Sequence, residues 1–322
     1  MQNHTVLVLS NPTDKQLAML ERLPERTSIA VGDTAEAFER TARDADVILN
    51  WGGKLSVFQQ VFRMAPQVRW IHSRAAGLDG VMFPELAASP VTFTNGRGVF
   101  SQSLGEFVIG AVLFYAKDFR RLVRNQEQGR WESFDIDEIS SQTMGIVGYG
   151  DIGRACARRA HALGMQVLAV RRRREQSRDD PYASEVHGLD RLDQVLPRCD
   201  YVVAAAPNTP ESRGVIGAPQ FALMKESAVI INVGRGPVID EAALIGALQK
   251  RRIRGAALDV FETEPLAAGH AFYGLDNVLL SPHCADHTRT WLEDAMQFFL
   301  DNFERYHRGE PLLNVVDKSL GY

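Results

Sequence analysis

The chain has 322 residues, 45% of them hydrophobic and 24% charged, which is the composition of a folded protein of about two domains and excludes disorder as its main state. A formal charge of −4, from 36 basic and 40 acidic residues, gives no overall attraction to polyphosphate, so a nucleic-acid partner would need a strong local patch. Cys156, Cys199 and Cys284 lack C-x-x-C spacing and no window approaches the roughly 18 apolar residues of a membrane helix, so a disulfide scaffold, a zinc ribbon and a membrane span all drop out.

In chain order, short β-rich runs alternate with helical patterns. The runs are TVLVLS, TSIAV, DVILNW, VRWIHS and VTFTN, and periodic polar-apolar stretches lie between them near residues 13–22, 35–44, 56–65 and 80–88. Such alternation builds right-handed βαβ units around a parallel sheet, and five strands by Asn95 complete one α/β layer. A long helix is predicted from Ser101 to about Gln128. Its first half carries Leu104, Phe107, Val108, Ala111, Val112 and Tyr115 on an apolar face and its second half is basic, as in a linker or a subunit contact. A second alternation follows in TMGIVGYG, QVLAV, YVVAAA, AVIINV, RGAALDV and NVLLSPH. A last helix, about Arg289 to His307, stops at Gly309-Glu310-Pro311.

Chemistry concentrates in the second half. Residues Gly145 to Gly153 read GIVGYGDIG: a strand, then Gly148-Tyr149-Gly150-Asp151-Ile152-Gly153, then a helical stretch. In that context the first glycine allows a tight turn, the second lets a backbone approach a pyrophosphate at the helix N-terminus, and the third lets helix pack on strand, which points to a dinucleotide. The next strand ends at Arg171, where NAD binders usually place an acidic residue on the ribose diol, and Arg172, Arg173, Arg174 and Arg178 follow. Guanidinium groups fork onto a phosphate, so NADP(H) is the preferred coenzyme and NAD(H) the alternative. A solvated basic loop and a nucleic-acid patch are the other readings of this cluster.

Three segments carry the candidate catalytic residues. NVGRGPVIDEAAL puts Arg235 at the end of a buried strand, LDVFETEPL holds Asp259 and Glu264, and LLSPHCADHT holds His283 just after Pro282. Ligands of open α/β sheets bind outside the carboxyl ends of the strands, so an Arg, a Glu and a His emerging there suit acid-base chemistry on an anion. Taken singly, Arg235 could be an exposed turn residue, Glu264 a turn cap and His283 a satisfied loop histidine. Together and in this order they specify a site.

With these motifs in order and spacing, the sequence resembles the D-isomer-specific 2-hydroxyacid dehydrogenase family over nearly its whole length. That resemblance implies two Rossmann-like doubly wound parallel-sheet domains: a flavodoxin-like substrate domain of residues 1–103 plus 289–322, and an inserted NADP-binding domain of residues 104–288, with the active site in the cleft between them. It implies a homodimer through the helix and arm at 104–140, including Trp131. Arg235 would bind the substrate carboxylate and polarise its carbonyl, His283 would be the general acid-base, and Glu264 would orient it. Asp259 would sit by the nicotinamide amide, and Pro207 and Val233 would complete the coenzyme contacts.

The family also holds the substrate carboxylate on main-chain amides matching Ala75, Ala76 and Gly77, beside Arg74, which could add charge or face solvent. Trp51 or Lys54 could shape the pocket, a core role for Trp51 being equally open. Where the family often has a small Gly-rich turn, this chain has Cys284-Ala285-Asp286-His287, so Asp286 and His287 either line the substrate pocket and disfavour a second anionic group or cap the last helix. The expected activity is NADPH-dependent reduction of a 2-oxo acid to a D-2-hydroxy acid, and the reverse, in a soluble cytoplasmic enzyme with neither metal, membrane nor nucleic acid as partner. A formate or phosphite dehydrogenase relative is disfavoured by Glu264, because formate dehydrogenases carry an amide residue there. A coenzyme-sensing co-repressor on the same fold is the reading from another class.

Overall fold

The computed structural model describes residues 3–318. The chain forms two compact units, Met1–Phe100 with Arg289–Tyr322, and Ser101–Thr288. The first stretch contains strands β1 (His4–Leu9), β2 (Thr27–Gly32), β3 (Val47–Asn50), β4 (Trp70–Ser73) and β5 (Thr92–Asn95), with helices α1 (Leu55–Met64) and α2 (Pro84–Ala88). The second unit begins with α3 (Ser101–Ala116) and α4 (Phe119–Glu127) and continues through β6 (Thr143–Val147), α5 (Asp151–Ala162), β7 (Gln166–Val170) and β8 (Glu185–His187). Then come α6 (Leu192–Val195), β9 (Tyr201–Ala204), α7 (Ala218–Leu223), β10 (Val229–Asn232), α8 (Glu241–Gln249), β11 (Gly255–Leu258) and β12 (Val278–Leu280), and α9 (Trp291–His307) returns to the first unit.

The first sheet has the order β2-β1-β3-β4-β5 with every pair parallel. This is the flavodoxin-like order, whose switch point lies between β1 and β3. Strands β3 and β4 are buried at every residue, so burial does not alternate along them, as in a sheet covered on both faces. Helix α9 packs on this sheet through aromatic rings. Trp70 stacks on Phe299 at 5.4 Å between centroids, and His72 lies 5.8 Å from Phe298 and 5.6 Å from Phe299.

The second sheet has the order β12-β11-β10-β9-β6-β7-β8, again all parallel. Counted from β6 as the unit's first strand this is the dinucleotide-binding order extended by one strand, and its switch point lies between β6 and β9. Gly148, directly after β6, occupies that point with φ +99, and a Cβ there would stand 2.4 Å from the amide nitrogen of Ala206. Only glycine fits both demands.

Several predicted helices differ in form. The 13–22 stretch is a 3-10 helix over Lys15–Arg22, and 35–44 is two single 3-10 turns, Glu36–Phe38 and Ala42–Asp44, separated by Thr41 at φ −114. The predicted helix from Ser101 to Gln128 is two helices. Asp118 breaks it in the left-handed conformation at φ 46 and caps α4 by accepting from the Arg121 amide. Among the described residues no helix is long and apolar enough to cross a membrane.

Candidate active site

The turn after β6 is shaped to receive a phosphate. Gly153 packs so tightly that a Cβ would approach the Gly148 carbonyl oxygen to 2.4 Å, which seats the start of α5 against the strand end. A Cβ on Gly150, the N-cap of α5, would meet no protein atom within 4 Å. Nothing in the protein requires glycine there. The space a side chain would fill lies at a helix N-terminus, where amide groups point outward and the dipole favours an anion, so the residues fit a dinucleotide pyrophosphate. Tyr149 is buried, with its hydroxyl on Asp180 Oδ1 at 3.2 Å, so this residue meets a ligand through its backbone. Asp180 also accepts from Arg154 Nε at 2.5 Å, and burial together with Asp180 pushes the Tyr149 pKa well above its ordinary value.

Arg171 lies where β7 ends. Its guanidinium donates to Ser177 Oγ and, at 2.6 Å, to Gln176 Oε1, while its amide donates to the His187 carbonyl at 3.0 Å. Arg172 and Arg173 beside it are exposed, and Arg172 is 3.9 Å from Glu211. The short strand β8, which no sequence pattern signalled, fixes this corner through that His187 carbonyl. Pro207 is exposed beyond β9, and Val233 is buried beyond β10, its amide on the Ala204 carbonyl at 3.0 Å.

The candidate catalytic residues follow the neighbouring strands β10, β11 and β12. Arg235 is half-buried; its carbonyl accepts from Asn232 Nδ2 at 3.1 Å and its Nη1 donates to the Gly234 carbonyl at 2.8 Å. Gly236 lies so close to the next turn that a Cβ would stand 1.9 Å from the Phe261 carbonyl carbon. That next turn holds Glu264, whose Oε1 accepts from the Phe261 amide at 2.9 Å and whose Oε2 is 2.6 Å from His283 Nδ1. One carboxylate thus ties the turn after β11 to the histidine after β12. His283 has φ 52, an uncommon conformation for a side-chain-bearing residue, and its imidazole is exposed.

Asp259 has a structural partner set that sequence reasoning did not find. Its carboxylate is 1% exposed, and Oδ1 accepts from Ser281 Oγ at 2.5 Å and from the Cys284 and Ala285 amides at 3.0 Å each. The Asp259 carbonyl takes the His283 amide at 3.0 Å. Asp259 therefore organises the loop that presents His283. Asp286, further along it, is half-buried, its Oδ1 makes no hydrogen bond, and burial raises its pKa. Its carbonyl, not its side chain, accepts from the Thr288 amide.

In the first unit, Trp51 and Arg74 follow β3 and β4. Trp51 is 1% exposed, so its bulk belongs to the interior. The carbonyls of Ala75 and Ala76 accept from the Gly96 amide at 3.3 Å and Asn95 Nδ2 at 2.6 Å, while the amides of Ala75, Ala76 and Gly77 have no acceptor among the described residues. Main-chain amides left without an acceptor are available to an anion.

Comparison with known proteins agrees with this architecture. The family model for the D-isomer specific 2-hydroxyacid dehydrogenase NAD binding domain matches residues 109–285. Glyoxylate/hydroxypyruvate reductase B of Salmonella agona is 35% identical over 290 residues, covering 87% of this chain and 88% of that protein. D-3-phosphoglycerate dehydrogenase of Methanocaldococcus jannaschii is 30% identical over 321 residues, 97% of this chain, which spans only 59% of that relative's length. Among solved structures, a D-isomer specific 2-hydroxyacid dehydrogenase from Xanthobacter autotrophicus in complex with NADPH and MES superposes with a TM-score of 0.84 at 30% identity, both chains fully covered. An NADPH-dependent glyoxylate/hydroxypyruvate reductase from Sinorhizobium meliloti in complex with NADP and sulfate does so with a TM-score of 0.84 at 25% identity, again over both full chains. On its sheet orders, its glycine turn and these matches, the chain belongs to the D-isomer-specific 2-hydroxyacid dehydrogenase family.

Proposed function

We propose that the protein reduces a 2-oxo acid to the D-2-hydroxy acid, and catalyses the reverse, with NADPH as coenzyme, His283 as general acid-base, Glu264 as its orienting carboxylate and Arg235 as the carboxylate-binding cation. The observation that carries this reading is the 2.6 Å contact of His283 Nδ1, after β12, with Glu264 Oε2, whose turn after β11 neighbours the Arg235 turn after β10. Bound coenzyme supplies hydride to the substrate carbonyl carbon, and negative charge then grows on the carbonyl oxygen. An imidazolium whose Nδ1–H donates to Glu264 keeps its Nε2–H for that oxygen and gives it the proton. Arg235, its guanidinium held by the Gly234 carbonyl, offers a planar fork to the carboxylate and stabilises the developing charge. Within the first unit, the amides of Ala75–Gly77 have no acceptor among the described residues and are available to an anion.

The NADPH preference rests on Arg171 replacing the usual acidic residue, with Ser177, Arg172 and Arg173 in the same corner to receive a 2′-phosphate. The coenzymes in the Xanthobacter and Sinorhizobium relatives support it. The names of the Salmonella and Sinorhizobium relatives favour small substrates such as glyoxylate and hydroxypyruvate. A homodimer through residues 104–140 belongs to the same proposal. Leu122, Val123, Trp131 and Ile136 are all exposed there, Trp131 completely, and such apolar surface suits a subunit contact.

The test is the initial rate of NADPH and NADH oxidation with glyoxylate, hydroxypyruvate, pyruvate and phenylpyruvate, beside a His283→Ala control. Turnover with NADPH well above that with NADH, abolished in the control, is the expected result. Tight NADPH binding with no turnover of any acid would overturn the reductase reading in favour of a coenzyme-sensing role, and a tighter dissociation constant for NADH would overturn the coenzyme assignment.

A further inference from the structure

Asp180 is a buried carboxylate in a largely exposed, basic loop. The connection between β7 and β8 carries Arg171, Arg172, Arg173, Arg174 and Arg178, yet the Asp180 side chain within it is only 7% exposed. Carboxylates are seldom buried unless they are paired. Asp180 Oδ1 accepts from the Tyr149 hydroxyl at 3.2 Å and from the Tyr182 amide at 3.0 Å, and Oδ2 accepts from Arg154 Nε at 2.5 Å. Its own loop supplies one of these donors. The other two belong to the glycine turn: Tyr149 stands between Gly148 and Gly150, and Arg154 lies in the first turn of α5, its amide on the Gly150 carbonyl at 2.8 Å.

The arginine loop is therefore tied down along its length. Its start is held by the Arg171 amide on the His187 carbonyl at 3.0 Å, its end by the Ser184 amide on the Val167 carbonyl at 2.9 Å, and its far reach by Asp180 on the glycine turn. Inside it the Arg171 guanidinium donates to Ser177 Oγ and Gln176 Oε1, and the Ser177 carbonyl accepts from the Asp180 amide at 3.2 Å. A connected path thus runs from the glycine turn through Asp180 and Ser177 to Arg171. All of it lies in the second compact unit. A loop without such a tie would have to be ordered when its ligand arrives, and that ordering weakens binding.

We infer that Asp180 is a positioning residue for coenzyme choice: by tying the arginine loop to the glycine turn, it fixes the groups that receive a 2′-phosphate relative to those that receive the pyrophosphate. The inference rests on the NADPH reading of that corner. NADH carries no 2′-phosphate, so it gains nothing from preordered arginines and its affinity does not depend on the tie. Charge alone predicts the opposite sign, because an anion beside the arginines repels a phosphate and its removal would tighten NADPH binding. Here Arg154 matches the Asp180 charge within the cluster, which leaves the tie as the larger effect.

The experiment measures the dissociation constants of NADPH and NADH in wild type, Asp180→Ala and Asp180→Asn. Ala removes all three acceptor contacts; Asn keeps an acceptor for Tyr149 and Tyr182 and loses the charge on Arg154, and it carries the test should the alanine variant not fold. NADPH is expected to bind at least about 10-fold more weakly to Asp180→Ala and about 3- to 10-fold more weakly to Asp180→Asn, with NADH unchanged within about twofold in both. Equal losses on the two coenzymes, which a purely structural role would give, or tighter NADPH binding would each overturn the assignment. Limited trypsin digestion of the coenzyme-free protein reads the tie itself, since trypsin cuts after the loop's arginines: cleavage there should quicken in both variants, and unchanged cleavage would overturn the tie. A wild type that binds NADH more tightly would overturn the coenzyme reading on which the inference rests, whereas an NADPH preference that persists undiminished in both variants would overturn the inference alone.

Discussion

His283 Nδ1 stands 2.6 Å from Glu264 Oε2, and the other oxygen of that carboxylate is held by the Phe261 amide at 2.9 Å. Glu264 is thus fixed by its own turn before it fixes the histidine. In Glu264→Gln the amide still reaches both partners but no longer stabilises an imidazolium. The reductive kcat is expected to fall about 10- to 100-fold with the NADPH dissociation constant unchanged, because the lost interaction concerns proton donation rather than binding. Equal kcat in both proteins would show that the carboxylate does not act through His283.

Asp259 is expected to hold the histidine loop in place. Asp259→Ala leaves the Ser281 hydroxyl and the Cys284 and Ala285 amides without their acceptor. At about 1–3 kcal/mol for each buried group left unpaired, stability should fall by more than about 2 kcal/mol. The readout is a lower urea midpoint at unchanged m value, accompanied by reduced kcat as the loop loosens. Full stability in this variant would contradict the role.

The glycine turn separates folding from coenzyme binding. Gly148→Ala forces a Cβ against the Ala206 amide at a left-handed φ, so it should destabilise the fold by several kcal/mol, about 2–4. Gly150→Ala meets no protein atom, so its stability should match wild type while NADPH binds at least about 10-fold more weakly through a collision with the pyrophosphate. Thermal unfolding and coenzyme fluorescence titration read the two effects. Unchanged NADPH affinity in Gly150→Ala would mean the phosphates lie elsewhere.

His72 predicts a defined acid sensitivity. It is completely buried between Trp70, Phe298 and Phe299, and burial lowers its pKa to about 3 from an ordinary value near 6.5. Below 6.5 the unfolded chain binds a proton that the native protein refuses, so stability is complete above that pH and declines as pH falls towards 3. The slope from this one group is about 1.4 kcal/mol per pH unit. Urea unfolding of His72→Phe between pH 7 and 4.5 should show a shallower decline than wild type by about that amount. Parallel curves would remove His72 as the cause.

Much of the architecture was legible because buried parallel strands are continuous apolar runs between turn residues, as in VILN and VIIN. β8 escaped notice because three half-buried residues carry no such signal. The helix from Ser101 to Gln128 was read as one because apolar periodicity is insensitive to a single left-handed residue. Asp118, a strong N-cap type, was the available sign of the break. At the site, the glycine spacing and the strand-end Arg, Glu and His stood out because their motifs are local in sequence. The three donors on Asp259 come from residues 22 to 26 positions away, and Tyr149 and Arg154 lie 31 and 26 positions from Asp180, so neither arrangement could be seen before the chain was folded.

The most direct measurement of the central claim is the single-turnover rate of NADPH oxidation by saturating hydroxypyruvate in wild type and His283→Asn, with the NADPH dissociation constant measured in both. Loss of a positioned general acid lowers the rate about 10²- to 10⁴-fold, and coenzyme affinity should stay within threefold because His283 lies outside the dinucleotide turn. A variant that oxidises NADPH as fast as wild type would contradict the account, since the proton would then come from another group.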